Sequence, residues 1–432
     1  MLRTLRVGAT VFWTVLVLLL RVTLTRLRSE STPLSFCGER VADLFEKLGG
    51  GYLKVGQILS TRTDILSGEF IVPLQRLQDS LGPFPPELAK SIVERALHAP
   101  IQSLFSEFDS RPVGSATIAQ VHRAVLRGSN ATVAVKIRRP DVDRLIRIDS
   151  SIFLMFGRLV SWLPCFRGIP LFEGMQQVMN AVKAQADFRQ EAERHREIFA
   201  LFQDDTFVHV PRLVDRYCTE NVLVMEYFPC TIRLDASVLD ANSRRKAVVL
   251  GLHALYRMLF VGGFVHCDLH PGNILVVADR SVLLIDFGFT TVMQPQERRA
   301  FAEFFLCIAF NDGATAARIL LSTALRVPSE LDRSAFSRDI ERVVDSFSAK
   351  PAHEFLVTSF VNTLFKIQRM HNIYGSPSFT MAILSLVVYE GIIRQVCPDL
   401  EFQREAIATL LAAFQALGNG RCDGDQETVA AS

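Results

Sequence analysis

One stretch in the second half of the chain, residues 265–288, constrains the fold more than any other. Asp268 lies five residues before Asn273, an apolar run follows, and a second apolar run ends at Asp286. Two short strands joined by a turn would bring these three side chains together at one end of the resulting hairpin. Phosphoryl transfer uses such a set, since a carboxylate orients the attacking hydroxyl while an amide and a carboxylate hold Mg²⁺. The spacing predicts that Asp268 is catalytic and that Asn273 and Asp286 bind metal; the alternative is an ordinary surface turn.

The length and composition of the chain bound its broad class. At 432 residues it is long enough for two or three structural units, and its 49% hydrophobic content supports a large core. A net charge of +2, with no long basic stripe interleaved with aromatic residues, gives no reason to expect nucleic acid as a partner. The eight cysteines form no CxxC pair and no zinc-spaced cluster, which favours scattered buried thiols in a reducing compartment.

Residues 1–30 contain an uncharged run, 7–20, with arginines on both sides. The run is shorter than the roughly 20 residues of a membrane-spanning helix, although snorkelling by Arg21 would extend it. Three interpretations stay open: a short membrane anchor or interfacial helix, which we favour, a targeting sequence, and a helix buried on the main body. Because arginines flank both ends, the positive-inside rule gives no orientation.

The pattern of residues 111–126 predicts a β-hairpin, and residues 132–140 are predicted to follow it as a third strand. Lys136 alternates with Val133 and Val135, so its side chain should point to the opposite face from theirs. The sequence VAVK that ends at Lys136 resembles the protein-kinase strand whose lysine contacts the nucleotide phosphates. The spacing in residues 265–288 likewise resembles the kinase catalytic loop and its Asp-Phe-Gly motif.

Other segments fit the remaining parts of a kinase. An amphipathic charged helix over 185–198 offers Glu191 as the partner that holds Lys136 at the phosphates, although most charges of such a helix belong to a solvated face. The apolar pattern over 222–229 predicts a strand that fits the connector between kinase lobes, whose backbone, here at Met225 and Tyr227, would meet an adenine ring. The position of the kinase Gly-rich loop has a single glycine and small neighbours that would cover the nucleotide: Gly114, Ser115, Ala116 and Thr117.

A helical stretch over 52–70 carries a polar pair, Lys54 and Gln57, about one turn apart. Such a pair is usually just part of a solvated face. The pair lies in the segment LKVGQILSTRTDIL. Five further segments follow it along the chain: PVGSATIAQVH, VAVKIRRP, QADFRQEA, VHCDLHPGN and LLIDFG. In this order they resemble the UbiB-type atypical kinases, also called the aarF domain-containing kinase family, which is associated with ubiquinone biosynthesis. The resemblance runs from about residue 45 to 403 and includes EGIIRQVCPDLEF as a C-terminal signature.

The resemblance implies a role for each matching residue. Lys136 would bind the phosphates and pair with Glu191, while Lys54 and Gln57 would belong to a regulatory extension that folds over the active site. Three departures stand out: Gln185 replaces the glutamate whose carboxylate pairs with the lysine at 54, Gly114 stands where alanine is frequent, and Arg194 replaces an asparagine. The first departure should weaken the clamp on Lys54, and the second should make the loop more mobile.

We therefore expect an α+β, protein-kinase-like two-lobed fold with a helical N-terminal extension and a helical C-lobe. The expected segments are the membrane-associated residues 1–30, the extension 31–105, the N-lobe 106–230, the C-lobe 231–418 and the polar tail 419–432. ATP and Mg²⁺ are the expected cofactors.

The expected function is Mg²⁺-dependent ATP binding and hydrolysis, or phosphoryl transfer, in support of ubiquinone (isoprenoid quinone) biosynthesis or lipid handling at a membrane. Two alternatives remain, a non-catalytic pseudokinase scaffold that binds nucleotide and lipid, and a small-molecule phosphotransferase. The expected partners are membrane lipid or isoprenoid quinone precursors, quinone-biosynthesis enzymes and a second copy of the chain. The expected location is a bacterial cytoplasmic-side membrane or an organellar inner membrane.

Overall fold

A computed structural model describes residues 7–14, 16–17, 20–21, 34–62, 66, 68–77, 82–160, 171–278, 280–348, 356–398 and 400. The chain forms two compact units: unit 1 is Met1–Ala192 with Leu213–Tyr227, and unit 2 is Glu193–Arg212 with Phe228–Ser432. Unit 1 combines the predicted extension with most of the predicted N-lobe, so the division near residue 105 stays a prediction. The described parts of residues 1–30 are helical. The rest of that segment, and the tail, lie outside the described residues.

Along the sequence, the helices of unit 1 come both before and after the main strands of its sheet. Before the sheet come α1 (Leu34–Leu48), α2 (Gly51–Thr61), α3 (Gly68–Ile71), α4 (Pro86–Leu97) and α5 (Ile101–Leu104). After its hairpin come α6 (Val142–Val160), α7 (Leu171–Gln185) and α8 (Phe188–Phe202), and α8 continues from unit 1 into unit 2. The predicted helical extension is confirmed, although the helix predicted over 52–70 ends at Thr61. The charged helix predicted over 185–198 begins at Phe188, because α7 ends at Gln185 and the chain leaves the helix at Ala186 and Asp187.

The sheet of unit 1 contains the predicted hairpin. Its strands are β1 (Phe105–Phe108), β2 (Gly114–Ser115), β3 (Ala119–Leu126), β4 (Thr132–Arg138) and β6 (Val222–Glu226), whereas β5 (Val208–His209) belongs to unit 2. The order is β1-β3-β4-β6, with β2 paired to β3, and every pair is antiparallel. In β4 the buried residues alternate, and Val133, Val135 and Ile137 share a core with Ile92 and Val93 of α4. This alternation sends Lys136 to the other face of the sheet.

A buried polar pair on β3 fastens the segment before α4 to the sheet. The Gln120 amide oxygen accepts from the Phe84 backbone N–H at 2.9 Å, and the Gln120 Nε2 atom lies 2.7 Å from His122 Nε2. His122 Nδ1 lies 2.7 Å from the backbone oxygen of Asp109. A carbonyl only accepts, so Nδ1 donates, and Nε2 of the neutral ring accepts from Gln120. A protonated His122 would lose the Gln120 bond.

Acidification should therefore destabilise the fold between about pH 7 and pH 5. Burial, opposed by the bond to Asp109, lowers the pKa of His122 below its ordinary value of 6.5. Below about pH 6.5 the unfolded chain binds a proton at this histidine that the folded chain does not bind. The contribution of neutral His122 to the free energy of unfolding is therefore complete above about pH 6.5 and is lost as the pH falls below that value. Burial also lowers the pKa of His266, with the same sign. Tm measured in pH steps should fall more steeply for the wild type than for His122→Gln; parallel curves would contradict the prediction.

Unit 2 is largely helical, as the sequence predicts. Its helices are α9 (Ala241–Tyr256), α10 (Pro295–Ala309), α11 (Gly313–Ser322), α12 (Arg333–Ser348), α13 (Val357–Met370) and α14 (Pro377–Val396). Its larger sheet has the order β5-β10-β9-β7, where β7 is Ile232–Arg233, β9 is Ile274–Val276 and β10 is Val282–Leu284. Two further strand pairs lie outside this sheet. In one, β8 (Phe264–His266) pairs with β11 (Thr290–Val292), and in the other, β12 (Ala324–Arg326) pairs with β13 (Tyr374–Gly375). The helical pattern of the sequence does not predict the β12–β13 pair.

The longest helix of unit 2, α14, lies mostly inside its core. By length and composition alone it is the one helix in the described part of the chain that could cross a membrane, and most of that stretch is buried. Its buried Glu390 accepts from the backbone N–H groups of Val357 at 2.7 Å and Thr358 at 2.8 Å. A carboxylate at a helix N-terminus satisfies groups that the helix itself leaves unpaired. The first residue of the predicted C-terminal signature thus caps α13.

Candidate active site

In unit 1, Lys136 and Glu191 form a buried ion pair. Lys136 Nζ lies 2.5 Å from Glu191 Oε1, and the two side chains are 12% and 2% exposed. The ammonium also lies 5.4 Å from the centroid of the Phe188 ring, at the start of the same helix. Both residues reach this position through local structure, because β4 turns Lys136 away from the core and Glu191 lies in the first turn of α8. The contact between the two predicted partners is therefore present.

The start of α8 is fixed by the residue that caps it. Asp187 Oδ1 accepts from the backbone N–H groups of Arg189 at 3.0 Å and Gln190 at 3.3 Å. An aspartate at this position satisfies two of the unpaired N–H groups of the first turn. Because Glu191 follows one turn later, Asp187 helps to set where the Glu191 carboxylate lies.

The loop predicted to cover a nucleotide is held by an arginine that the sequence interpretation missed. Arg139 donates to the backbone oxygen of Ala116 at 2.7 Å and to Ser115 Oγ at 2.9 Å. Thr117 is buried, and Gly114 pairs with Val121 across β2 and β3. A Cβ added at Gly114 would meet nothing within 4 Å, and the φ angle of Gly114 is not left-handed. This loop is therefore bonded in place, and no local constraint on the backbone requires the glycine.

The predicted adenine-binding residues lie at the end of β6. Met225 pairs with Ala134 of β4 and forms an isolated bridge with Leu213. The backbone N–H of Tyr227 donates to Thr132 at 3.3 Å. Both side chains are half-buried, and their contact with a nucleotide stays a prediction.

In unit 2, the hairpin of β9 and β10 organises the three oxygen-bearing side chains. Ile274 pairs with Leu284, and the backbone N–H of Ile285 donates to Asn273 at 3.1 Å, which places Asn273 beside the residue before Asp286. Asn273 Nδ2 in turn donates to the backbone oxygen of Asp268 at 2.9 Å. One hairpin and one side-chain bond thus place Asn273 beside the backbone of Asp268 and beside the residue before Asp286.

The donor set of this trio fits a magnesium ion. The buried amide of Asn273 uses its nitrogen for Asp268, so its oxygen is the polar atom left for a cation. Asp286 is exposed and has a left-handed backbone with φ of +63°, which aspartate tolerates better than most residues. Within the described ranges, no cluster of three or more His, Cys, Asp or Glu could hold a metal. Mg²⁺ commonly takes only one or two protein carboxylates and completes its shell with phosphates and water.

Three aromatic rings pack edge to face next to Asp286 in the fold, and the sequence interpretation did not identify this cluster. The Phe287 ring is fully buried and makes edge contacts with His266, at 5.7 Å between centroids, and with His195, at 5.0 Å. His195 Nε2 donates to the Pro211 backbone oxygen at 2.5 Å. His266 Nδ1 accepts from the backbone N–H of Asp268 at 3.3 Å. Burial lowers the pKa of His266, against the nearby carboxylates of Asp268 and Asp286, so the ring stays neutral at pH 7.

The two residues predicted to regulate the site lie on α2 in unit 1. Gln57 is half-buried, and its Nε2 lies 3.4 Å from the backbone oxygen of Leu77. Gly56 lies so close to Leu77 and Phe45 that a Cβ there would collide with both side chains. Lys54 is buried rather than solvated, which excludes the simple solvated-face alternative for this residue.

Comparison with known proteins agrees with these features. Residues 76–320 match the family model described as "ABC1 atypical kinase-like domain". The chain is 30% identical over 375 residues to a protein of Tolumonas auensis named "Probable protein kinase UbiB", with 85% of this chain and 69% of that protein covered. It is 30% identical over 371 residues to the protein of the same name from Marinobacter nauticus, with 84% and 68% covered.

A solved structure adds a likeness of fold. The structure described as "The complex structure of Rv3197-erythromycin from Mycobacterium tuberculosis" matches with a TM-score of 0.50 and 20% identity, over 82% of this chain and 93% of that one. Together with the family model, it confirms the predicted kinase-like α+β fold.

Proposed function

The chain belongs to the ABC1 atypical kinase-like family with the UbiB-type proteins, and on that premise we propose that it is a Mg²⁺-dependent ATPase or phosphotransferase. The observation that carries the proposal is the hairpin-built trio of Asp268, Asn273 and Asp286. Asn273 and Asp286 would hold Mg²⁺, which neutralises charge on the phosphates. Asp268 would orient the attacking hydroxyl or water.

The ion pair of unit 1 supports the same proposal. A buried ammonium costs free energy unless it is paired, and here Glu191 supplies the pairing. Kinases use such a pair to hold the lysine at the nucleotide phosphates. The loop from Gly114 to Thr117, fastened by Arg139, would cover the nucleotide, and the end of β6 at Met225 and Tyr227 would receive the adenine.

We propose further that the activity serves isoprenoid quinone biosynthesis or lipid handling at a membrane. The support is the family, whose matching relatives are named UbiB, together with the apolar N-terminal run flanked by arginines. The acceptor would then be a membrane lipid, a quinone precursor or water. Deletion of the protein from its host should lower the quinone content of the membranes, and an unchanged quinone content would remove this part of the proposal.

Removal of magnesium should abolish turnover of ATP by the purified full-length chain. The assay measures phosphate release and transfer of labelled γ-phosphate, with and without phosphatidylglycerol vesicles carrying a quinone precursor. Chelation should lower the rate by about 10²-fold or more, because charge neutralisation by the metal supplies several kcal/mol of transition-state stabilisation. Added Mg²⁺ should restore the rate.

The same assay distinguishes the rival functions. Tight nucleotide binding without any turnover would overturn the enzymatic proposal and favour a nucleotide- and lipid-binding scaffold. Transfer to a soluble small molecule in the absence of vesicles would favour a small-molecule phosphotransferase.

A further inference from the structure

A buried lysine on α2 requires a partner of opposite charge. Lys54 is 7% exposed, and burying an ammonium without a counter-charge is costly. Among the described residues of unit 1, the buried acidic side chains are Asp149 and Glu191. Glu191 already contacts Lys136. Asp149, on α6 and 1% exposed, is the other of these two carboxylates and is the candidate to balance Lys54.

The position of the Asp149 carboxylate agrees with this assignment. A Cβ built on Gly51 of α2 would lie 3.2 Å from Asp149 Oδ2, so the carboxylate faces α2 at Gly51. Lys54 follows Gly51 by three residues and lies on the same face of the helix. Side chains in a helix lean towards its N-terminus and cover the preceding turn. The ammonium of Lys54 is thereby directed towards the turn where the Asp149 carboxylate lies.

The other buried cation of this segment, Arg62, follows the end of α2 and lies too far along the chain to take this carboxylate. Arg62 lies eleven residues after Gly51, which is about 16 Å along a helix at 1.5 Å per residue. Its Nη2 lies 3.4 Å from Gln177 Oε1 on α7 instead. Gly157 of α6 packs against Met175 of α7. These contacts place both α6 and α7 against α2, with Arg62 engaged at a different level from Asp149.

The residue at position 185 does not serve as the partner. Gln185, at the end of α7, is 6% exposed, and neither its amide oxygen nor its amide nitrogen has a hydrogen-bond partner among the residues that the structure describes. A glutamine carries no charge in any case. An ammonium held there would have been expected to take the amide oxygen as an acceptor.

We propose that Asp149 is the counter-ion of Lys54, and that it takes the role the sequence comparison led us to expect of a carboxylate at 185. The loss of that carboxylate then does not weaken the hold on Lys54. The position of the regulatory lysine depends on α6, and not on the segment that leads through Asp187 into Glu191. The inference concerns the extension and stands independently of nucleotide binding.

A substitution cycle tests the pair. Asp149→Asn should lower Tm by about 10 °C, because it leaves a buried charge without its partner. Adding Lys54→Met to that variant should restore most of the loss, since an apolar side chain of similar length replaces the charge. Asp143→Asn is the matched control on the same helix: it removes a half-exposed carboxylate that contacts Arg138 at 2.7 Å and should lower Tm by less than about 3 °C.

A substitution at position 185 should change Tm in opposite directions, depending on whether Asp149 is present. Gln185→Glu in the otherwise unchanged chain should lower Tm, because it adds a buried carboxylate to a pair that is already neutral. In the Asp149→Asn background the same change should raise Tm, because it supplies a new counter-charge. Both effects are measurable without nucleotide, so a failure here is distinct from a failure of the proposed enzymatic activity.

The reactivity of the lysine gives a second readout of the same pair. A buried lysine without a counter-charge has a pKa lowered by several units, and its neutral amine is the reactive form. Acetylation of Lys54 at pH 7.5, followed by mass spectrometry, should be at least about tenfold faster in Asp149→Asn. The exposed Lys183 of α7 is the internal reference. Asp149→Asn behaving like Asp143→Asn, or Gln185→Glu raising Tm in the unchanged chain, would overturn the proposal.

Discussion

Replacing Asp286 with asparagine should reduce the turnover of Mg²⁺-ATP by about 10²- to 10³-fold, since loss of a metal-binding carboxylate removes several kcal/mol of transition-state stabilisation. Asparagine tolerates the left-handed backbone at 286, where φ is +63°, so the hairpin should keep its shape. Asp286 is also exposed, and its replacement should change Tm little. Turnover, Mg²⁺ dependence and Tm are measured on the same preparation.

The chain offers a matched control for this substitution. Asp141 is exposed and has φ of +61°, just before α6. Asp141→Asn therefore repeats the chemical change and the backbone setting at a residue that is not a predicted metal ligand, and it should leave turnover within about twofold of the wild type. Equal turnover of Asp286→Asn and wild type would remove the phosphoryl-transfer proposal, because the observed activity would then not use this carboxylate.

Replacing Glu191 with glutamine should affect both stability and activity. The substitution leaves the Lys136 ammonium, 12% exposed, without the carboxylate that lies 2.5 Å away. Breaking a buried pair from one side costs about 3–5 kcal/mol, which corresponds to a fall in Tm of about 10 °C for a unit of this size. Lys136 would also lose its position, and displacement of a catalytic group by about 1 Å costs about 10²-fold in rate.

An exposed pair of the same residue types is the control. Lys90 contacts Glu87 at 3.0 Å, and the Glu87 side chain is 82% exposed. Glu87→Gln should change Tm by less than about 3 °C, because exposed ion pairs contribute little. If Glu191→Gln left both Tm and turnover unchanged, the buried pair would have neither the stabilising nor the positioning role proposed here.

Much of the candidate site could be predicted because its parts are close in the sequence. Asp268 and Asn273 are five residues apart, and the hairpin that brings Asp286 to Asn273 is encoded by two apolar runs with a turn between them. The direction of Lys136 followed from simple alternation along β4. The pairing with Glu191 was different, since it came from the place of Glu191 in a motif and not from any periodicity.

Other features of the site were not predictable in this way. Arg139 holds the loop at Ala116, His195 makes an edge contact with Phe287, and Gln120 binds the backbone of Phe84. Each of these side chains is ordinary in its own segment, and its partner lies elsewhere in the chain. The expectation that Lys54 is weakly held failed to foresee its surroundings for the same reason. The motif shows that position 185 has no carboxylate, but it does not show that the Asp149 carboxylate of α6 faces α2.

By itself, the sequence determined the family, the α+β class, the hairpin that holds Asp268, Asn273 and Asp286, and the face of β4 that carries Lys136. The tertiary structure alone showed that the Asp149 carboxylate lies against α2 at Gly51. The contact of Lys136 with Glu191, in contrast, was expected from the motif and is present in the structure. The physical reason is that periodicity states which side of a helix or strand is buried. It does not state which other side packs against it, and the free energy of a buried charge depends on that neighbour.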